Sequence, residues 1–394
     1  MRLTLFAALL ATSALDAQPA PLVPAATRGV VFEDRNANGL RESGERGIPG
    51  IAVSNQDEVT RTDADGRYTL GATGFGAVFA SLPDGFRSVG SFWRRADTQS
   101  SVDFALARRP SNTPFTFALA SDTHIAPQTA ERTRRLGAIV DSAAPAFLLV
   151  TGDLIRDALR VGEAEASGYY RLFADETGRF RTPLFTVPGN HEVFGIERHL
   201  SIVPTTHPLY GRKMYRAFRG PDYYSFNAGG IHFVGINTVD IADLWYYGHV
   251  DSLQLAWLKR DIAMVPAGVP IVTFNHIPFA STGEPLNGFD EGPPAPSTIT
   301  INGKAQYRHT ASNLDELLAA IGDHPFPLAL GGHFHFRERI SLELAGLTMR
   351  FHQSAATVGD ARAGPFPMPS GVTFYRVVNG VIDEGTFVRL DPPR

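Results

Sequence analysis

From Arg28 to about Arg109, short apolar stretches are separated by Gly, Asp and Pro: Gly29–Phe32, Ile51–Ser54, Arg67–Leu70 and Val78–Ser81. Closely spaced strands with turn signals between them predict a small all-β sandwich. The pattern changes beyond Arg108-Arg109-Pro110-Ser111-Asn112. There, apolar strands alternate with amphipathic helical stretches, the sign of an α/β or layered α+β domain. The expected organisation is a β-sandwich module over 28–109 and a second domain over 113–394, with no internal repeat.

The chain begins with Met1-Arg2 and a short apolar run ending near Leu15, with small residues offering cleavage after Ala14, Ala17 or Ala20. This reads as a secretory signal peptide over 1–20, followed by a Pro-rich linker over 21–27. The run is too short to span a membrane, and no second long apolar stretch follows. A secreted or periplasmic protein is expected.

The length of 394 residues suits two domains better than one. With 43% hydrophobic and 19% charged residues, the chain can bury a core. A net charge of −4 argues against general nucleic-acid binding. Cysteine is absent, which excludes disulfides, thiolate metal sites and cysteine nucleophiles. The 33 arginines against 3 lysines match a GC-rich coding bias better than selection for phosphate binding.

In the first module, Asp34 to Glu45 follows a twelve-residue calcium-loop pattern. Asp34, Asn36, Asn38, Glu42 and Glu45 place oxygens at positions 1, 3, 5, 9 and 12, Leu40 holds position 7, and Gly39 allows the sharp turn. The flanks read as strand and turn, so a pair of EF-hand helices is not expected. Together with Thr62-Asp63-Ala64-Asp65-Gly66-Arg67-Tyr68, this stretch resembles the prealbumin-like β-sandwich repeats of bacterial surface proteins, some of which bind calcium. The competing reading is a tight polar turn built from Asp, Asn and Gly.

Five strand ends in the second domain carry the chemistry. Phe115–Ala120 leads into Ser121-Asp122-Thr123-His124, and Ala146–Thr151 into Gly152-Asp153. Leu184–Val187 leads into Pro188-Gly189-Asn190-His191-Glu192, Pro270–Asn275 into His276, and Pro327–Leu330 into Gly331-Gly332-His333-Phe334-His335. Open sheets place ligands just past the carboxyl ends of their strands. A lone histidine is more often a core residue, but the five clusters together supply enough imidazole and oxygen for two divalent ions, with Asp153 able to bridge. Two ions ~3.5–4 Å apart can acidify a shared water and clamp a phosphoryl oxygen during in-line displacement.

Asp122-x-His124, Gly152-Asp153, Gly189-Asn190-His191-Glu192, His276 and Gly332-His333-x-His335 resemble the complete signature of the calcineurin-like metallophosphoesterase superfamily. The resemblance covers about residues 113–390 and implies an α+β fold, a four-layer αββα sandwich with two mixed sheets face to face. It implies that Asp122, His124 and His335 hold one metal, Asn190, His276 and His333 the other, and Asp153 both. The metals implied are divalent transition ions, with Mn, Fe and Zn foremost. His191 would act on the leaving oxygen as general acid or as a hydrogen-bond donor, and a metal-bridging hydroxide would attack a phosphate mono- or diester.

Departures from subfamily patterns narrow this reading. Purple acid phosphatases carry a ferric-ligating tyrosine three residues after the bridging aspartate, where this chain has Arg156. Protein serine/threonine phosphatases carry Asp-Arg-Gly there; Arg156-Asp157-Ala158 displaces the aspartate that would orient His191. Two long loops, Val193–Asp222 and Pro278–Ser312, are expected over the site, bringing His199, His207, Tyr210, Arg212, Lys213, Tyr215, Arg216, Arg308 and His309. Their mixed cations and aromatics suit a phosphate with an organic group, and Arg156 is the candidate for gripping it. The alternative from another class is a surface-binding protein whose β-sandwich takes a cell-surface ligand and whose metal site is structural.

Overall fold

The computed structural model describes residues 19–97, 101–109, 114–197, 199–243, 245–287, 296–344, 346–363 and 365–391. The expected signal peptide lies almost wholly outside the described residues, as does most of the boundary at 110–113. Residues 19–26 have no regular structure, and the guanidinium of Arg95 donates to the carbonyls of Ala20 and Pro21, each at 3.1 Å.

The segment from Thr27 to Arg108 forms two four-stranded sheets. One orders its strands Arg67–Leu70, Thr27–Glu33, Phe104–Arg108, Phe86–Ser88; the other Val59–Arg61, Ala52–Ser54, Ala77–Ala80, Trp93–Arg95. Alternation in Arg67–Leu70 puts Tyr68 and Leu70 inside and leaves Arg67 and Thr69 in solvent, as a half-buried strand requires. Ala77–Ala80 is buried on both faces, because this side of the segment packs against the rest of the chain. The core holding Val53, Val78 and Phe79 continues into Phe185, Tyr224 and Trp257. Trp257 is fully buried, and its indole N–H donates to Ser54 Oγ at 3.0 Å, so its burial leaves no polar atom unpaired.

The rest of the chain is a mixed α/β fold around two six-stranded sheets. In one, Leu184–Val187, Leu148–Thr151 and Phe115–Ala120 run parallel, and Gly371–Val378 lies antiparallel beside the last. In the other, Ile231–Gly235, Ile271–Phe274, Leu328–Gly331 and Leu347–Gln353 run parallel between antiparallel edge strands. The central strands are buried throughout, as near-continuous apolar runs predict. Helix Ala130–Ala143 buries Thr133, Leu136 and Val140 along one stripe. Helix Ser252–Ile262 starts where the Asp251 carboxylate accepts from the Leu253 and Gln254 N–H groups.

The two expected loops are more structured than their composition suggests. Helix Lys213–Arg219 occupies the first; helix Gly283–Asn287 and the hairpin Thr298–Ile301/Lys304–Tyr307 occupy the second. Several of their cations are structural. Arg216 is buried and bidentate on Asp222 at 2.8 and 2.9 Å, Arg212 pairs with Asp240 and Asp251, and Arg308 is buried against Glu197. Tyr215 is buried on Thr186 and His207 pairs with Glu163. These side chains are therefore not available to grip a substrate. Polar residues inside a sequence loop read as solvated until the partners that bury them are known.

Candidate metal centre

Three parallel strands of one sheet and two of the other end at the same place. Just past them stand Asp122, Asp153, Asn190, His276 and His333, with His124 and His335 two residues beyond Asp122 and His333. The turns are tight. Of twelve non-glycine residues with positive φ among the described residues, five are Asp122, His124, Asp153, His333 and His335. Such conformations cost free energy and persist where the surroundings over-determine them. The glycines answer a second need, close approach. A Cβ at Gly189 would lie 2.1 Å from Asp153 Oδ1, and one at Gly332 would lie 2.0 Å from Ser121 Oγ.

The ligand-type atoms converge in two groups that share a member. Asp122, His124, Asp153 and His335 each offer one atom to the first, and Asp153, His276 and His333 to the second, all within 4.8 Å of one another in each group. His124 and His335 bring Nε2 atoms to 3.1 Å; His335 Nε2 is 3.3 Å from Asp122 Oδ1, and His124 Nε2 is 3.5 Å from Asp153 Oδ2. On the other side, His276 Nε2 lies 3.3 Å from Asp153 Oδ2, 3.1 Å from Asn190 Oδ1 and 3.1 Å from His333 Nδ1. The seven residues expected as ligands are thus brought together.

These residues suit divalent cations. Asp122 Oδ1 is buried with His335 Nε2 at 3.3 Å and His124 Nε2 at 3.8 Å beside it but no well-formed hydrogen bond among the described residues, a costly state for a carboxylate oxygen. His276 Nδ1 donates to the Thr151 carbonyl at 2.7 Å, so Nε2, which faces Asp153 and Asn190, is the nitrogen that a proton or a cation can occupy. Sulfur is absent, so the set is imidazole, carboxylate and amide oxygen, donors that take Mn, Fe or Zn.

Electrostatics point the same way. Burial alone would push the Asp153 carboxyl up, yet His276, His191 and His124 outweigh it and hold it well below the usual range. Asp122 is likewise held low against its burial by His335. Burial pushes His276 down, but the Asp153 charge more than reverses this and raises it to about 9. Burial pulls His124 down to about 4 and His333 well below the usual histidine range. A proton on His276 and a cation among these atoms are alternative answers to one negative charge, so cation binding should release protons.

His191 stands beside the first group, its ring 4.6 Å from that of His124. Its backbone N–H donates to Asp153 Oδ1 at 3.0 Å, and its Nδ1 donates to the Arg156 carbonyl at 2.6 Å. The orienting group is therefore a main-chain oxygen. Asp157 instead accepts from the Leu159 and Arg160 N–H groups and pairs with the Arg160 side chain. The Arg156 side chain is exposed.

The structure gives Glu192, unassigned in the sequence, a role in the site, and gives His309, expected there only as a loop residue over the site, a different one. Glu192 is fully buried and accepts from Ile155 N–H at 3.0 Å and Gly189 N–H at 2.6 Å, tying the turns that carry Asp153 and Asn190. Burial, then the Asp153 charge, pushes its carboxyl up to about 8 against the pull of those two N–H groups. The only signal for it was its place at the end of Gly-Asn-His-Glu. His309 brings Nδ1 to 2.8 Å from His333 Nε2, the nitrogen turned away from His276. Burial, then Arg308, pulls His309 down to about 4, so it is neutral and can accept. No motif marks it.

The candidate calcium residues also lie close together. Asp34 accepts from the Asn38 and Gly39 N–H groups, Glu45 from those of Arg35 and Glu42, and the amides of Asn36 and Asn38 donate to Glu42. Leu40 is exposed, with its N–H on Asn38 Oδ1.

A curated relative, purple acid phosphatase 15 of Arabidopsis thaliana, is 28% identical over 199 residues, covering 44% of this chain and 35% of the relative. The chain thus spans about a third of that relative's length. Among solved structures, a dimetal phosphatase from Danio rerio is similar with a TM-score of 0.45 and 14% identity, covering 70% of this chain and 99% of that one. GAP50, the anchor in the inner membrane complex of Plasmodium, is similar with a TM-score of 0.42 and 14% identity, over 71% and 85%. The sequence profile of calcineurin-like phosphoesterases matches residues 115–337, a span that runs from the first metal-site strand to just past His335, and the chain belongs to the calcineurin-like phosphoesterase family.

Proposed function

We propose that the protein is a secreted or periplasmic hydrolase of phosphate mono- or diesters that depends on two divalent metals. The observation that carries this reading is the sharing of Asp153 by two ligand clusters. Asp122, His124 and His335 would hold one ion, Asn190, His276 and His333 the other, and Asp153 both. Bound there, the ions would polarise a phosphoryl oxygen and acidify water.

The chain's own residues divide the remaining work. With Nδ1 committed to donating to the Arg156 carbonyl, His191 keeps Nε2 for the substrate, where the ring, when it carries both protons, can donate to the leaving oxygen. Arg156, whose side chain is exposed, would meet a phosphate oxygen. Thr151 fixes the His276 tautomer, and Glu192 holds the two turns at one spacing.

The same proposal includes a four-layer arrangement of the two larger sheets and a separate prealbumin-like sandwich over 28–109, its calcium loop at Asp34–Glu45. Export is supported by the pattern of the first 20 residues; no described helix is long and apolar enough to cross a membrane.

The test is hydrolysis of a chromogenic monoester and a chromogenic diester after chelation and after re-addition of Mn, Zn or Fe. Metal-restored turnover, lost in folded Asp153→Asn and reduced in His191→Ala, is expected. Full turnover by folded Asp153→Asn would refute the assignment.

A further inference from the structure

A cavity of about 680 Å³ lies between the N-terminal segment and the larger sheets, away from the metal centre. Residues 86–93 close it from one side; 181–186 and 218–227 close it from the other. Its volume falls in the range of small-molecule sites, which favour seams of this kind. None of the metal-site residues lines it. Leu184, Phe185 and Thr186 of the strand Leu184–Val187 line the cavity, and Asn190 stands in the metal cluster beyond that strand's end.

The lining has two characters. Half-buried Phe86, Phe92, Trp93 and Phe218 leave aromatic surface on the cavity, and buried Phe226 and Tyr224 stand behind them. Four arginines, Arg87, Arg109, Arg181 and Arg219, also line it, and no lining residue is acidic. Arg181 is held by Asp141 outside the lining. Among the described residues, Arg87, Arg109 and Arg219 have no ion-pair partner. Arg219 Nε is buried without a hydrogen-bond acceptor, and its guanidinium rests 5.1 Å from the Phe173 ring. Burial pulls the Arg109 guanidinium below its ordinary range, opposed only by the Asp84 charge.

Poorly compensated guanidinium groups beside aromatic walls are costly unless an anion completes them, and planar guanidinium is matched to carboxylate, sulfonate and phosphate. We propose that this cavity is a binding site for a small organic anion, an aromatic or otherwise flat apolar body carrying one or two acidic groups. The body lies against Phe86, Phe92 and Trp93, and the acidic group meets Arg109 and Arg219. Because both sides of the seam contribute, the bound anion also clamps the N-terminal segment to the larger sheets. The site is independent of the metal centre and of the phosphoesterase reading.

The probe is 8-anilinonaphthalene-1-sulfonate, with N-phenyl-1-naphthylamine as the same body without the charge. Expected are saturable one-to-one binding of the sulfonate, at least fivefold weaker binding of the neutral amine, and slowed hydrogen exchange in residues 86–93 and 181–186. Arg109→Met and Arg219→Met should each weaken sulfonate binding at least fivefold. Arg109 stands half-buried at the end of its strand without a side-chain hydrogen bond among the described residues, so its variant serves if Arg219→Met does not fold. Three results would each overturn the proposal. These are no saturable binding, undiminished binding by the folded variants, and protection confined to the metal-site turns at 189–192 and 333–335.

Discussion

His309 offers a sharp test of the metal centre, because its effect should fall on one ion and spare the other. His333 presents Nδ1 to His276 and Asp153 and turns Nε2 to His309 Nδ1 at 2.8 Å, with the two rings 5.0 Å apart and tilted by 21°. For His333 to offer Nδ1 as a lone pair, its proton must sit on Nε2, and neutral His309 accepts it. His309→Ala leaves a buried donor unpaired, at a cost of about 1–3 kcal/mol. Loss of such an outer partner typically weakens metal affinity about 10–100-fold, the same range in free energy. The expected result is therefore a 10–100-fold weaker second equivalent of Mn or Zn, measured by competition with a chromogenic chelator. The other equivalent, expected at Asp122, His124 and His335, should be unchanged and serves as internal control. His309→Gln, which can still accept, should recover part of the loss. If both equivalents bind His309→Ala within twofold of the unmodified protein, the tautomer argument fails.

Asp222 accepts from Arg216, Gln56 and Asn237 in full burial, and Asp222→Ala should destabilise the protein by about 3–5 kcal/mol by stranding the Arg216 charge, read as a urea midpoint. A loss under about 1 kcal/mol would show that the ion pair is not what holds this seam. Burial lowers His352 from 6.5 to about 4, so the unfolded chain takes up a proton that the folded one resists. Stability from this group is complete above pH 6.5 and falls as pH drops toward 4, by at most ~3 kcal/mol. His352→Gln should flatten that acid limb, and identical pH profiles for the two proteins would refute the assignment. Calcium at millimolar concentration should raise the melting midpoint of the protein, and Asp34→Ala should abolish the rise; an unchanged midpoint in the unmodified protein leaves Asp34–Glu45 as a polar turn.

Much of the centre was legible because its ligands are tied to strand ends. A buried strand announces itself as an apolar run, and the residue after it is the place where a sheet presents chemistry. Asp122, Asp153, Asn190, His276 and His333 could therefore be picked out as a set, though none of them stood out alone. The partners that orient them could not. Thr151 and Arg156 act through main-chain carbonyls, which every residue possesses, so no side-chain pattern marks them. Arg212, Arg216 and Arg308 read as loop cations because their carboxylates, Asp240, Asp251, Asp222 and Glu197, are identifiable as partners only after the chain has folded.

The amino-acid sequence by itself determined the alternation of elements, the family signature and the identity of the seven ligand-type residues, since these depend on local periodicity and on turns a few residues long. The tertiary structure decided how the two halves meet. Phe79 and Trp257 stand far apart in the chain yet share one core at 6.3 Å between ring centroids. It also decided that His309 lies behind His333, and that arginines from both halves face one cavity with no acid among its lining. Those outcomes depend on which surfaces bury each other, and burial between distant segments is set by the shape of the whole chain rather than by any stretch of it.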